Sequence, residues 1–168
     1  MIDPELFLKF LISRRSIRNF QEKPISDKEI DMILEAGRWT PSASNRQPWE
    51  FIVIKNKEIL KAISKLAGYA KFIEESSVAI AIIGKKKVSP KWCLQDTSLV
   101  SMSMMLMAWS LNIGTCWIGN LNREKAKELL KISKDDILLT VLPFGYIKGK
   151  IPQQTYRKDL DKIKREIV

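Results

Sequence analysis

Two periods of apolar positions alternate along this chain, and the switches between them mark its elements. Leu6, Phe7, Phe10 and Leu11 fall on one helical face behind Asp3-Pro4-Glu5, where Asp suits an N-cap and Pro the first turn. This helix is predicted to end near Ser13. SDKE at 26–29 has capping-box spacing, with Ser26 as N-cap and Glu29 three residues into the helix. Ile30, Ile33 and Leu34 form its buried stripe, and Gly37 suits a C′ position. The period then shortens. WEFIVIK at 49–55 is aromatic and β-branched, the signature of a strand. A helix over 57–67 closes at Gly68, and SVAIAIIG at 77–84 is a nearly continuous apolar run, fitting a strand covered on both faces. From 94 to 111 the pattern predicts a long helix apolar over most of its circumference, which must be buried on most sides. TCWIG at 115–119 reads as a short strand. Asn122 caps a helix over 123–131, and ILLTVLPFGY at 137–146 is another strand. The tail from Lys148 is basic and extended, with a short helix expected at 159–167. This order predicts one layered α/β or α+β domain with helices on a central sheet.

Charge adds one question. The 168 residues carry a net charge of +10, which admits anionic partners. The lysines are spread along the whole chain, so a solvated surface explains most of them, and a nucleic-acid stripe is disfavoured. The sequence contains no histidine, which removes Ser-His-Asp and Cys-His catalysis and disfavours a zinc site. Cys93 and Cys116 match no metal or redox spacing. Hard chemistry would belong to a cofactor. The opening MIDPELFLKF lacks the basic start of a secretory signal, and the most apolar window, 99–113, is short and serine-rich, so a cytoplasmic location is expected.

Three polar segments stand apart from the elements. RRSIRNF at 14–20 offers three guanidinium groups and a hydroxyl. Arginine forks bind phosphate bidentately; arginines after a helix also simply complement its dipole. PSASNRQP at 41–48 offers small residues, hydroxyls and amides that suit a sugar or a ring edge, or an ordinary connection. GTCWIG at 114–119 has glycines at both ends, which permit close approach or a tight turn. Neither a G-x-G-x-x-G fingerprint nor a P-loop occurs.

Together and in this order, RRSIRNF, PSASNRQPWEFIVI, the long apolar helix running into LNIGTCWIG, and LPFGYIKGK at 142–150 resemble the FMN-dependent nitroreductase family. The resemblance implies an α+β three-layer sandwich, a central mostly antiparallel sheet flanked by helices, working as an intertwined homodimer with FMN at the interface. The whole chain, 1–168, would be one FMN-binding domain whose tail, 148–168, wraps the partner. It implies that Arg14, Arg15, Ser16 and Arg18 bind the FMN phosphate and ribityl chain. Pro41, Ser42, Ala43, Ser44, Asn45 and Gln47 would line the flavin of the other subunit. Trp117, Ile118 and Gly119 would lie near flavin N5, and Arg157, or its neighbour Lys158, would complete the phosphate site. The implied chemistry is ping-pong transfer of two electrons from NADH or NADPH through flavin N5 to a nitroaromatic, quinone or related small oxidant. No side chain is required as nucleophile and no metal is implied. A flavin-binding sensor or carrier without turnover is the alternative. The chain leaves little room for an excursion over the flavin, so Tyr69, Phe72, Lys91 and Trp92 are candidates for an open rim, with surface or edge packing the simpler role for each.

Overall fold

A computed structural model describes residues 2–167. Its elements run α1 (Pro4–Ser13), α2 (Asp27–Arg38), β1 (Trp49–Ile54), α3 (Lys57–Leu66), β2 (Val78–Gly84), α4 (Cys93–Ser110), β3 (Ile113–Thr115), α5 (Arg123–Leu129) and β4 (Ile137–Tyr146). Single turns of 3-10 helix lie at 43–45 and 160–162, and a longer one at 71–75. The helices start where the sequence supplies caps. Asp3, Asn56 and Asn122 accept from the backbone N–H of Leu6, Ile59 and Lys125. Ser26 and Glu29 form both halves of a capping box.

The four strands pair antiparallel in the order β1-β2-β4-β3. Period-two alternation on β2 divides the core into two. Val78, Ile80 and Ile82 pack with Ile30 and Ile33 of α2 and Val100 and Met104 of α4. Ala79, Ala81 and Ile83 pack with Leu60 and Ile63 of α3 and Ala126 of α5. The sheet is thus the middle of three layers, buried on both faces, as its unbroken apolar run requires. Burying each such isoleucine or leucine contributes about 1.5–3 kcal/mol. Among the described residues no helix is long and apolar enough to cross a membrane.

Three local expectations need correcting. Gly37 is not a C′ residue. It lies buried inside α2, where a Cβ would sit 2.6 Å from Met104 Cε; the glycine lets α4 pack close. The strand expected at 115–119 is β3, Ile113–Thr115, and residues 116–119 leave the ladder. The helix expected at 159–167 is only a 3-10 turn, Leu160–Lys162, on an exposed extended tail.

One packing feature positions the site. The segment after α1 lies against the free edge of β3 and the end of β4. Ser16 bridges Thr115, Ile17 N–H donates to Thr115 O at 2.9 Å, and Gln21 N–H donates to Tyr146 O at 2.9 Å. Ile17 and Phe20 are buried beneath it. A Cβ on Gly114 would meet Ile17 Cβ at 2.6 Å, and one on Gly145 would meet Phe20 Cβ at 2.8 Å. Two glycines of the sheet therefore make the room in which the arginine segment docks.

Candidate functional site

Docking that segment gathers cations at one corner of the sheet. Arg14 is half-buried, and its Nη1 is fully buried without a hydrogen-bond partner. So is the hydroxyl of Thr115, where the segment meets β3. Burial first, then the guanidinium of Arg157 from the tail, push the pKa of Arg14 down, with Arg15 adding to the effect and Cys116 opposing it. The buried Cys116 thiol is pushed up by burial, while Arg18, Ser16 and Arg14 pull it down. Arg14, Ser16, Arg18 and Cys116 therefore lie near one another, and Arg157 comes near Arg14. None of these arginines makes a salt bridge among the described residues. A buried cationic donor without a partner is costly, and an anion with several acceptor oxygens removes that cost. Arg15 sits beside the cluster but is engaged elsewhere. Its Nη1 donates to the carbonyls of Ile12, Ser13 and Arg14 at 2.7, 2.9 and 2.9 Å, and its Nε to Pro152 O at 3.1 Å. It closes the end of α1 and ties down the tail.

The 41–48 loop is held in an unusual conformation. Ser44, Asn45 and Gln47 all have left-handed backbones, with φ of 53°, 53° and 49°, a conformation that costs energy in non-glycine residues. Two contacts hold it. Ser42 Oγ accepts from Gln47 N–H at 2.9 Å. Buried Asp96 on α4 accepts from Ala43 N–H at 3.1 Å and, through its other oxygen, from the Ser89 hydroxyl at 3.4 Å. Ser44, Asn45 and Gln47 are left exposed, with Pro41 beside them and Ser42 and Ala43 half-buried.

Within one chain these two segments are far apart. The loop enters β1 at Trp49, which pairs with Gly84, whereas the arginine segment meets Thr115, which lies level with Phe144 and Val78. Three strand spacings and a six-residue offset place them about 25 Å apart, at opposite corners.

Past β3 the chain presents a third feature. The carbonyls of Trp117, Ile118 and Gly119 each accept from a side chain: the Cys116 thiol at 3.7 Å, the Thr140 hydroxyl at 3.0 Å and Arg123 Nη2 at 3.2 Å. Trp117 and Gly119 are exposed and Ile118 is buried. This segment lies on the same side of the sheet order as the arginine corner, following β3 directly.

A sequence model of the Nitroreductase family matches residues 11–74 and 65–146. The chain belongs to the nitroreductase family. An Archaeoglobus fulgidus protein provisionally named an NADH dehydrogenase/NAD(P)H nitroreductase is 36% identical over 151 residues, covering 85% of this chain and 86% of its own. A Bacillus subtilis protein named FMN reductase [NAD(P)H] is 37% identical over 150 residues, 88% of this chain and 56% of its own. Among solved structures, an FMN-dependent nitroreductase from Clostridium difficile superposes with a TM-score of 0.85 at 28% identity, covering 95% of this chain and 99% of that one. The nitroreductase fold accounts for the three layers and the sheet order, and the family match spans all three polar segments.

Four residues of this nitroreductase's candidate site carried no pattern in the sequence. Arg123, Thr140 and Asp96 act through contacts between distant elements, while Cys116 donates to the adjacent Trp117 carbonyl. Only their position, in or facing segments that were already candidates, offered any signal. Of the rim candidates, Tyr69 is 90% exposed and Trp92 half-exposed, while Lys91 is exposed. Phe72 packs on Phe20, ring centroids 6.3 Å apart, and joins the core. A groove of about 730 Å³ borders the end of the arginine segment at Asn19 and Phe20 and is lined further by Lys23, Lys57, Glu74, Glu75 and Lys148, with none of Arg14, Arg15 or Arg18 in its wall.

Proposed function

We propose that this chain is an FMN-dependent NAD(P)H oxidoreductase of nitroreductase type, working as a homodimer on a small oxidant such as a nitroaromatic or a quinone. The observation that carries this reading is the arginine corner, where Arg14 Nη1 is buried without a partner beside Arg157. Its donor chemistry fits a phosphate. Arg14, Ser16, Arg18 and Arg157 hold it, with Arg15 fixing the segment and Lys158 next to Arg157. The printed names of the Bacillus and Clostridium relatives support FMN as the phosphate's owner and NAD(P)H as the donor.

A tricyclic ring on a phosphorylated five-carbon chain is shorter than the span between the arginine corner and the 41–48 loop. In this reading Pro41 to Asn45 and Gln47 therefore serve the flavin held by a second copy. Exposed apolar side chains support that copy. Leu94, Leu99 and Met102 of α4 and Leu6, Phe7 and Leu8 of α1 remain uncovered in the single chain, apolar exposure on two helices that a second copy would cover. The exposed tail then lies across the partner. Trp117, Ile118 and Gly119 lie along the ring. Bound FMN supplies two-electron transfer between NAD(P)H and the acceptor; the residues of the chain bind, orient and shield, and none acts as nucleophile.

An absorbance spectrum of the purified protein tests this, taken before and after anaerobic addition of NADPH and, separately, NADH. Flavin bands that bleach are expected. Bands that persist with both donors would indicate a carrier or sensor. A colourless protein that takes up no added FMN would overturn the reading.

A further inference from the structure

The 117–119 segment has a property that its position alone does not require. A trans peptide is planar, so its N–H points opposite its C=O. Trp117, Ile118 and Gly119 have their carbonyls pinned to side chains. The N–H groups of the same three peptides belong to Ile118, Gly119 and Asn120. None of these donates to any acceptor among the described residues. At Gly119 a Cβ would meet nothing within 4 Å, so the backbone there faces open space.

The device that pins the carbonyls is built into β4. Its pairing with β2 shifts register between Ile82 and Ile83, leaving Leu139 as an extra residue. Such a bulge re-aims its neighbours and leaves carbonyls off the ladder. Arg123, the first residue of α5, takes those carbonyls: its Nε donates to Leu138 O at 3.2 Å and Leu139 O at 3.4 Å, and its Nη2 to Leu139 O at 3.2 Å and Gly119 O at 3.2 Å. Thr140, just past the bulge and fully buried, turns its hydroxyl onto Ile118 O.

Resting on the FMN reading above, we infer that Thr140 and Arg123 are positioning residues that hold the Gly119 and Asn120 amides outward as hydrogen-bond donors to the electron-accepting edge of the flavin. An amide whose carbonyl accepts a hydrogen bond becomes a stronger donor at its nitrogen. Fixed donors aimed where negative charge accumulates favour the more electron-rich form of the ligand. The pinning thus favours reduced over oxidised FMN, in addition to stitching the segment to β4.

The test compares wild type, Thr140→Val, Thr140→Ser and Arg123→Gln in three measurements: affinity for oxidised FMN, midpoint potential of the bound flavin, and melting temperature. Thr140→Val keeps the shape and removes the donor. It is expected to weaken binding of reduced FMN about tenfold more than that of oxidised FMN, a shift of about 30 mV to more negative potential for a two-electron couple. Thr140→Ser restores the wild-type potential. Arg123→Gln shifts it in the same direction as Thr140→Val and serves if Thr140→Val does not fold. A lower melting temperature with the potential unchanged in both variants would reduce the two residues to structural stitching and overturn the inference while leaving the FMN reading intact. A wild-type protein that binds no FMN would overturn both.

Discussion

Arg14 and Lys85 are both cations near the rim of the same sheet, and the fold serves them differently. Lys85 Nζ lies 2.6 Å from Asp136 and 2.9 Å from Glu50, and these partners raise its pKa. Arg14 has an arginine for a neighbour, a buried nitrogen without an acceptor, and a lowered pKa. Asp96 belongs with Lys85: a buried carboxylate whose two oxygens accept from Ala43 N–H and the Ser89 hydroxyl. Polar groups that stabilise a fold find their partners within it. A charged group left at a cost, at the same corner as the one other unpartnered buried side-chain group among the described residues, the Thr115 hydroxyl, marks a place where the partner comes from outside.

That contrast can be broken by moving the arginine segment without touching its charges. Gly145→Ala forces Phe20 off β4; overpacking of this kind costs about 1–3 kcal/mol. It should lower the melting temperature more than the other substitutions below and weaken FMN uptake, although no cation is removed. A melting temperature equal to wild type would mean that the segment is not seated as described.

Asp96→Ala removes a partner on the satisfied side. Leaving Ala43 N–H and the Ser89 hydroxyl unpaired costs about 1–3 kcal/mol. Hydrogen exchange at 43–47 should accelerate because the left-handed turn loses its anchor. Unchanged protection there would separate the loop from α4.

Lys85→Met has the smaller effect expected of a partly exposed pair, about 1 kcal/mol or less. Its sign in pH is definite. A lysine whose folded pKa is raised contributes stability that is fully present below its unfolded value, about 10.4, and is lost as pH rises through the folded value. The gap between wild type and Lys85→Met should therefore close in alkaline solution, as urea denaturation across that range would read.

Glu29 gives the opposite and mildest pH dependence. Hydrogen bonds from Ser26, then Tyr146 at 2.7 Å, lower its pKa from the usual 4.5. Its contribution is present above that value and lost as pH falls through the folded pKa. Wild type should exceed Glu29→Gln in stability at neutral pH by about 1 kcal/mol or less, and the gap should vanish in acid. A gap independent of pH would show that Glu29 acts by packing alone.

Much of this was legible in the sequence because it is local. Asp3, Ser26, Asn56 and Asn122 stand at helix starts, and the apolar run at 78–84 could only be a strand covered twice. Gly37 was misread because a glycine near a helix end has two uses, and only the approach of Met104 from α4 distinguishes them. The strand expected at 115–119 stopped at Thr115 because Thr140, Arg123 and Cys116, rather than a neighbouring strand, took the next carbonyls. Arginine spacing and the order of the three segments pointed to the family and to the candidate site. The same spacing could not reveal that Arg15 turns back onto α1 while Arg14 stays unpartnered, since that depends on where Pro152 and Arg157 return. Asp96, Arg123 and Thr140 escaped notice because each works on residues distant in sequence.

The central claim is that the unpaired charge at Arg14 is there for the phosphate of FMN. The direct measurement is FMN titration of Arg14→Met and Lys85→Met, with melting of each protein before flavin is added. Loss of one or more charged hydrogen bonds, about 1.5–3 kcal/mol each, predicts roughly 10- to 150-fold weaker FMN binding by Arg14→Met. Its melting temperature without FMN should be equal to wild type or higher. Lys85→Met should bind FMN as wild type does while melting slightly lower. If Arg14→Met bound FMN with unchanged affinity, or if the two variants lost it equally, the distinction between the two cations would be wrong.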